Sequence, residues 1–234
     1  MISIENVSVD IPFFEIKTKR LFTKKITKNS NISNGFPSKV LNNINIIINA
    51  NEKIGLIGKN GAGKTSLLKL IAGFYPFEDG KMTIDGSVSS VINSTDSLFP
   101  DATGIENIKL QLLRSKISKQ EIDNRILDIA DFSELDSKLF QPIKTMSLGM
   151  KVKIVLSVAI NLNNNILVID EDINALDDYF FKKLLEKIKN INVLIIATHD
   201  LKIIKKVCSK CIHLKNGSIK EFGLTDKVIN NYKI

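Results

Sequence analysis

Eight consecutive residues, Gly58-Lys59-Asn60-Gly61-Ala62-Gly63-Lys64-Thr65, have the types and spacing needed to hold a chain of phosphates. They follow the pattern G-x-x-x-x-G-K-[ST], between an apolar run Ile54–Ile57 and a helical run Ser66–Ala72. Glycines let successive main-chain N–H groups converge on phosphate oxygens where a side chain would clash. A helix starting just beyond them adds positive potential. Lys64 would then reach the β- and γ-phosphates, and Thr65 would offer its hydroxyl to Mg²⁺. A Gly-rich turn is the bland alternative. A chance match to the pattern in a chain of this length is about one in a hundred, even before the flanking strand and helix are required.

A second constellation is Asn165-Ile166-Leu167-Val168-Ile169-Asp170-Glu171, an apolar strand ending in adjacent carboxylates. Acids at the C-terminal end of a parallel strand stand where α/β folds put their ligands. Asp170 would hold Mg²⁺ through water, as the acid on the second motif strand of phosphate-loop enzymes does. Glu171 is the candidate general base for water attacking the γ-phosphate. An apolar strand followed by Asp-Glu is common by itself, and it acquires meaning from the phosphate loop that precedes it.

These groups need a frame. Short β-rich runs, Ile2–Val9, Leu41–Ile48, Lys53–Ile57, Lys81–Ile84, Ile166–Ile169, Val193–Ala197 and Cys211–Leu214, alternate with helical patterns. That alternation predicts an α/β core with a largely parallel sheet. Between them, Ile105–Ala159 carries mainly helical periodicity (Ile122, Ile126, Ile129, then Ile154, Leu156, Ala159), which predicts a helical insertion. No internal repeat is visible, so a single nucleotide domain is expected.

At 234 residues, 44% hydrophobic and 25% charged, the chain has the composition of a globular domain. Polar residues interrupt every Ile-rich run before the roughly 18 apolar residues that a membrane-spanning helix needs, so a membrane role requires a partner. The start, Met1-Ile2-Ser3-Ile4-Glu5-Asn6-Val7, alternates like a strand and lacks the form of a secretory signal; the expectation is a cytoplasmic protein. Cys208 and Cys211 are too few for a disulfide framework. Zinc would need about four ligands, and only His199 and His213 could join them. The net charge of +8 permits a polyanionic partner without choosing one. The densest basic run, Lys17, Lys19, Arg20, Lys24, Lys25 and Lys28, reads as a solvated loop, with a phosphate or lipid contact as the other possibility.

With the loop, the acids and this frame in place, the sequence resembles the ATP-binding subunits of ABC transporters across essentially its whole length. Four further segments carry the likeness. Ser147-Leu148-Gly149-Met150 is similar to the ABC signature, Asn174-Ala175-Leu176-Asp177 to the D-loop, and Thr198-His199-Asp200 to the switch-histidine motif. Gly104-Ile105-Glu106-Asn107-Ile108, after Leu98-Phe99-Pro100, resembles the stretch downstream of the Q-loop. The resemblance implies a RecA-like P-loop NTPase core with an antiparallel β subdomain (1–93 and 164–234) and a helical ABC-type insertion lobe (94–163). Within the superfamily, the Gly-Met signature ending, the opening Val9-Asp10-Ile11-Pro12-Phe13-Phe14 and the closing Glu221-Phe222-Gly223 and Val228-Ile229-Asn230-Asn231-Tyr232 are most like exporters of lipid-linked polysaccharides and teichoic acid. Longer members append a carbohydrate-binding domain; stopping at Ile234, this chain looks like the short form.

The same resemblance implies ATP and Mg²⁺ as ligands, a homodimer with two nucleotides between the copies, and a separate permease that holds the chain at the cytoplasmic face of the membrane. Gly58, Asn60, Gly61, Ala62, Gly63, Lys64, Thr65 and Ser66 would bind the nucleotide in one copy. Ser147 and Gly149 would approach it from the other, although a Ser147-capped helix explains them locally. Glu171, His199 and Lys64 would form the catalytic group. His199 would hold the γ-phosphate and the attacking water, whereas a lone histidine at a strand end is more often a core residue. Asp177 would sit at the dimer seam or simply start a helix. Phe13 or Phe14 would stack on adenine or belong to the core. Two departures stand out. The Q-loop glutamine is missing, leaving Asn93 or Ser94 at the metal-sensing position, and Leu148 replaces a small signature residue, so slow hydrolysis is expected. Competing readings are a transporter of another substrate, a soluble ABC ATPase acting on nucleic acid or the ribosome, and a nucleotide-binding regulator without turnover. The second domain or long coiled coil of the nucleic-acid relatives is absent, so no nucleic-acid partner is expected.

Overall fold

The alternation in the first strands shows how one face of a sheet is chosen. In β1 (Ile2–Ile11), Ile2, Ile4, Val7 and Val9 are buried; in β2 (Ser38–Ile48), Leu41, Ile44, Ile46 and Ile48 are, while Ile47 stays exposed. The step of three in each series marks a bulge, with Asn6 at φ 53° and Asn43 at φ 50° absorbing the extra residue. Side chains replace the interrupted ladder: the Asn6 N–H donates to Asn45 Oδ1 and the Asn43 N–H to Ser8 Oγ. With β4 (Lys81–Ile84) these strands make an antiparallel sheet in the order β2-β1-β4. The computed structural model describes residues 1–11, 38–77, 79–162 and 164–232. Phe13, Phe14 and the basic run Lys17 to Lys28 lie outside them.

The second sheet has six strands in the order β5-β6-β7-β3-β8-β9. Five are parallel: β3 (Lys53–Ile57), β5 (Val88–Val91), β6 (Ile166–Asp170), β7 (Val193–Ala197) and β8 (Lys210–Lys215). The last, β9 (Ser218–Leu224), returns antiparallel beside β8. β6 and β7 are buried at every position, as apolar strands covered on both faces should be. β5 and β9 are not among the strands expected from the sequence pattern. Two of the four β5 residues are serines, and Ser89 is buried only because its hydroxyl accepts from Asn164 Nδ2 at 2.7 Å.

Helix α1 (Lys64–Ile71) lies between the sheets and buries Leu67, Leu68, Leu70 and Ile71 in a cluster with Ile2, Ile4, Ile44, Ile48 and the β6–β7 residues. The opposite face of the large sheet is covered by α2 (Gly104–Arg114), α3 (Lys119–Ser133), α4 (Leu148–Asn161), α5 (Asp178–Lys189) and α6 (Leu201–Val207), with α7 (Thr225–Tyr232) beside β8. The helical insertion expected over 105–159 consists of α2, α3 and α4, which share one apolar cluster with Leu167, Ile169, Leu194 and Ile196 of the sheet. α2 begins with a capping box in which the Thr103 hydroxyl accepts from the Glu106 N–H and the Glu106 carboxylate accepts from the Thr103 N–H. Among the described residues no helix is long and apolar enough to cross a membrane. Cys208 and Cys211 are both buried free thiols, and burial pushes each up to about 12, so they pack as small apolar groups.

Phe180, fully buried on α5, meets Phe132 of α3 edge-on at 5.4 Å and joins the helical region to the sheet. Phe180→Ala is expected to lower the unfolding free energy by about 3–5 kcal/mol. A fall in the urea midpoint at unchanged slope would register it.

Candidate functional site

Three strand ends come level at one edge of the large sheet. Leu56 pairs with Ala197, and Ala197 with Asp170. The next residues, Gly58 after Ile57, Thr198 and Glu171, therefore leave the sheet side by side, at the C-terminal ends of β3, β7 and β6. This is the edge where parallel α/β sheets expose their main-chain groups to ligands. Gly63 turns the chain into α1 at φ 102°, a conformation in which a side chain would be strained, and a Cβ there would stand 3.1 Å from Val40 O. The first intrahelical bond runs from the Leu67 N–H to Gly63 O, and no side chain caps the helix. The N–H groups of its first turn, Lys64 to Ser66, are left to an external acceptor.

Lys64 is only 6% exposed. Its ammonium donates to Gly58 O at 3.1 Å and lies 3.5 Å from Glu171 Oε1. The same carboxylate oxygen is 2.8 Å from His199 Nε2, so one oxygen joins the lysine and the histidine. Beside this group, the Thr65 hydroxyl donates to Asp170 Oδ2 at 2.6 Å, and Asp170 is nearly buried. Glu171 itself sits at φ 36°, a left-handed conformation that is rare for a residue with a side chain. It is anchored there because its N–H extends the sheet ladder to Ala197 O at 2.8 Å. Lys64, Thr65, Asp170, Glu171 and His199, chosen from separate parts of the sequence, thus form one contiguous polar cluster.

The cluster opens into a cavity of about 650 Å³, lined by Asn60, Gly61, Gly63, Lys64, Thr65, Ser66 and Glu171, together with Lys39, Val40, Asn216 and Gly217. Its size is that of a small-ligand site. The last four residues were not anticipated. Asn216 and Gly217, both at positive φ, form the two-residue turn between β8 and β9. The Gly217 N–H donates to Ala62 O and Gly217 O accepts from the Asn42 N–H, so the hairpin pins the phosphate loop to β2. An Asn-Gly pair between β-rich runs is a sequence signal for that turn. The donor set suits a nucleoside triphosphate: convergent N–H groups, one buried ammonium, and space for a flat nucleoside. It also suits Mg²⁺, because Thr65 Oγ1 and Asp170 Oδ2 are adjacent hard oxygens and such an ion takes the rest of its shell from phosphate and water. No group of three or more His, Cys, Asp or Glu suited to a metal occurs among the described residues.

Other predicted residues lie apart from this cavity. Ser147 caps α4, accepting from the Met150 N–H at 3.3 Å, and Leu148 beside it is 58% exposed. The Gly149 backbone passes so close to Ala175 O that a Cβ would lie 2.8 Å from it. Asp177 caps α5 by accepting from the Phe180 N–H and pairs with Lys153 of α4 at 2.6 Å. The Lys153 ammonium and the Phe180 N–H hold its carboxyl below the usual aspartate range. The local helix-start role of Asp177 is thus realised within one chain. Asn93 follows β5 in a left-handed conformation at the start of a single helical turn and does not line the cavity.

The fold and these motifs define a nucleotide-binding cassette, and the chain belongs to the ABC transporter family, whose match spans residues 41–174. Its fold is that of a P-loop NTPase. It superposes on the ATP-binding subunit of an ABC transporter with a TM-score of 0.75 at 21% identity, covering 100% of this chain and 93% of that one. The cassette MJ0796, solved as a dimer in a post-hydrolysis state with ADP and Pi, superposes equally well at 20% identity over 96% of this chain and 99% of that one. Particular relatives are the teichoic acids export ATP-binding protein TagH of Staphylococcus epidermidis, 31% identical over 99% of this chain and 88% of its own length, and TagH of Levilactobacillus brevis, 31% identical over 99% and 64%. The O-antigen export system ATP-binding protein RfbE of Yersinia enterocolitica is 35% identical over 77% of each chain. Against some of these relatives the chain spans less than two thirds of their length, down to 36% for TagH of Bacillus anthracis.

Loss of the Asp177 carboxylate by Asp177→Ala is expected to destabilise the fold by about 1 kcal/mol at neutral pH through the missing helix cap. A carboxyl held low in the folded state stabilises above its unfolded value and loses that contribution as pH falls through the folded value. The gap between wild type and variant in urea unfolding should therefore be full near pH 7 and shrink below pH ~4.

Proposed function

We propose that the chain is the ATP-hydrolysing subunit of an ABC exporter, and that its cargo is a lipid-linked polysaccharide or teichoic acid carried by a separate permease. The observation that carries the catalytic part is the Glu171 carboxylate, shared by Lys64 and His199 at the mouth of the phosphate loop. The relatives' names support the cargo class.

Lys64 would exchange Gly58 O and Glu171 for oxygens of the β- and γ-phosphates, while the amides of Gly61 to Ser66 hold the chain of phosphates. Glu171, so released, accepts a proton from the water that attacks the γ-phosphorus in line. As the new P–O bond forms, the bond to the bridging oxygen breaks, and ADP and phosphate result. His199 Nε2 turns from Glu171 to the γ-phosphate and orients that water. Thr65 and Asp170 would hold Mg²⁺, which when bound supplies positive charge to the phosphate oxygens.

Two copies would close on the nucleotides, bringing Ser147 and Gly149 of one copy to the phosphates held by the other. The exposed Leu148 would come with them, and Asp177 would lie along the seam. Residues 1–93 with 164–234 would form the core subdomain and 94–163 the helical one. Asn93, at the edge of the sheet beyond β5, would take the place of the metal-sensing glutamine. A groove of about 760 Å³ is bordered by Ile92, Ser97, Gln111, Arg114 and Lys116, and a cytoplasmic segment of the permease would seat there. Such seating would hold the chain at the cytoplasmic face of the membrane.

Purified wild type should retain Mg-ATP and release phosphate. Lys64→Ala should lose retention of Mg-ATP. Glu171→Gln should bind ATP but release phosphate at least about 100-fold more slowly. Unchanged affinity in the Lys64 variant, measured with a fluorescent ATP analogue, would overturn the proposed site.

A further inference from the structure

His199 and Glu171 stand on different strand ends, and an independent tie sets how far apart they can be. Asn174 lies in the helical turn that follows Glu171. Its N–H donates to Glu171 O at 3.3 Å. Its side-chain carbonyl accepts from the Thr198 hydroxyl at 3.2 Å. Thr198 is 2% exposed and immediately precedes His199; its hydroxyl also accepts from the Asp200 N–H at 3.1 Å. The hydroxyl therefore bonds on both sides of the histidine's backbone, donating to the turn after Glu171 and accepting from the residue after His199.

We propose that Asn174 is a positioning residue that fixes His199 against Glu171, gripping Thr198 with its side chain while its main chain bonds the carbonyl of Glu171. Without the bond, the turn at 198–200 keeps its strand but loses its link to the turn at 171–174. What then remains is the main-chain bond from the Glu171 N–H to Ala197 O, which leaves the turn at 198–200 free to shift, and the side chains' own 2.8 Å contact, which the γ-phosphate must break for hydrolysis to proceed. A tie that persists when that contact opens is what keeps the histidine and the base aligned during the chemical step. Asn174 is exposed and does not line the phosphate cavity, so the effect belongs to turnover and not to nucleotide binding. This inference rests on the hydrolytic reading above.

The test compares steady-state phosphate release by wild type, Asn174→Leu, Thr198→Val, the double variant and Thr198→Ser, with Glu171→Gln as the inactive control. Asn174→Leu keeps the volume and removes the acceptor; Thr198→Val does the same for the donor. Each is expected to lower kcat about tenfold, with KM for ATP within about twofold and melting temperature nearly unchanged. The double variant should be no slower than the slower single one, as expected when two changes break one bond. Thr198→Ser, which keeps the hydroxyl, should retain the wild-type rate. Wild-type kcat in Asn174→Leu, or additive losses in the double variant, would overturn the assignment. So would a parallel rise in KM and fall in melting temperature, which would make the bond a general fold contact. Wild-type turnover that Glu171→Gln abolishes upholds the hydrolytic reading whatever the Asn174 variants do.

Discussion

A lysine ammonium that is almost wholly withdrawn from water has to be surrounded by oxygen, and most of this site follows from that requirement for Lys64. Gly58 O supplies one acceptor from the loop itself, and Glu171 supplies a negative charge from a strand two places along the sheet. To reach the lysine, Glu171 must leave the end of β6 in a conformation that side chains seldom adopt, and the ladder bond to Ala197 O holds it there. His199 then finds the same carboxylate because its strand lies between the other two. One buried charge thus fixes the relation among three segments far apart in sequence.

Contiguous chemistry was the legible part. The loop 58–65 and the pair Asp170-Glu171 can be read because each acts through neighbouring residues with fixed types, and the alternation of strands and helices gave the α/β frame around them. β5 and β9 were hidden for different reasons. Val88-Ser89-Ser90-Val91 is too short and too polar to show as a buried strand until Asn164 is seen to satisfy Ser89. Ser218–Leu224 is only partly covered at the sheet edge, so its apolar pattern is weak. Lys39 and Val40 reach the cavity through long-range strand pairing, which no local pattern specifies; the Asn216-Gly217 turn is locally readable, but its bond to the phosphate loop is not.

Ser147, Gly149 and Asp177 each have a role inside one chain beside the intermolecular one proposed for them. Within one chain, Ser147 and Asp177 cap helices, and Gly149 lets α4 approach the carbonyl of Ala175. The ion pair Lys153–Asp177 fastens the same helix to the turn that follows Asp170 and Glu171. The start of α4 and the turn carrying Asn174 are therefore packed directly against each other. Leu148, between two constrained neighbours, is the exposed member of that segment within the single chain.

The pairing of Ile11 with Ser38 ties the shape of the cavity to the register of the small sheet. Lys39 and Val40 follow that pair directly and border the cavity, and Gly217 O accepts from the Asn42 N–H while the Gly217 N–H donates to Ala62 O of the phosphate loop. The second strand is therefore a wall of the cavity as well as a cover for α1. A slip of one residue between β1 and β2 would turn the buried isoleucines outward and displace that wall in the same movement, so sheet register and cavity shape are a single property of this chain.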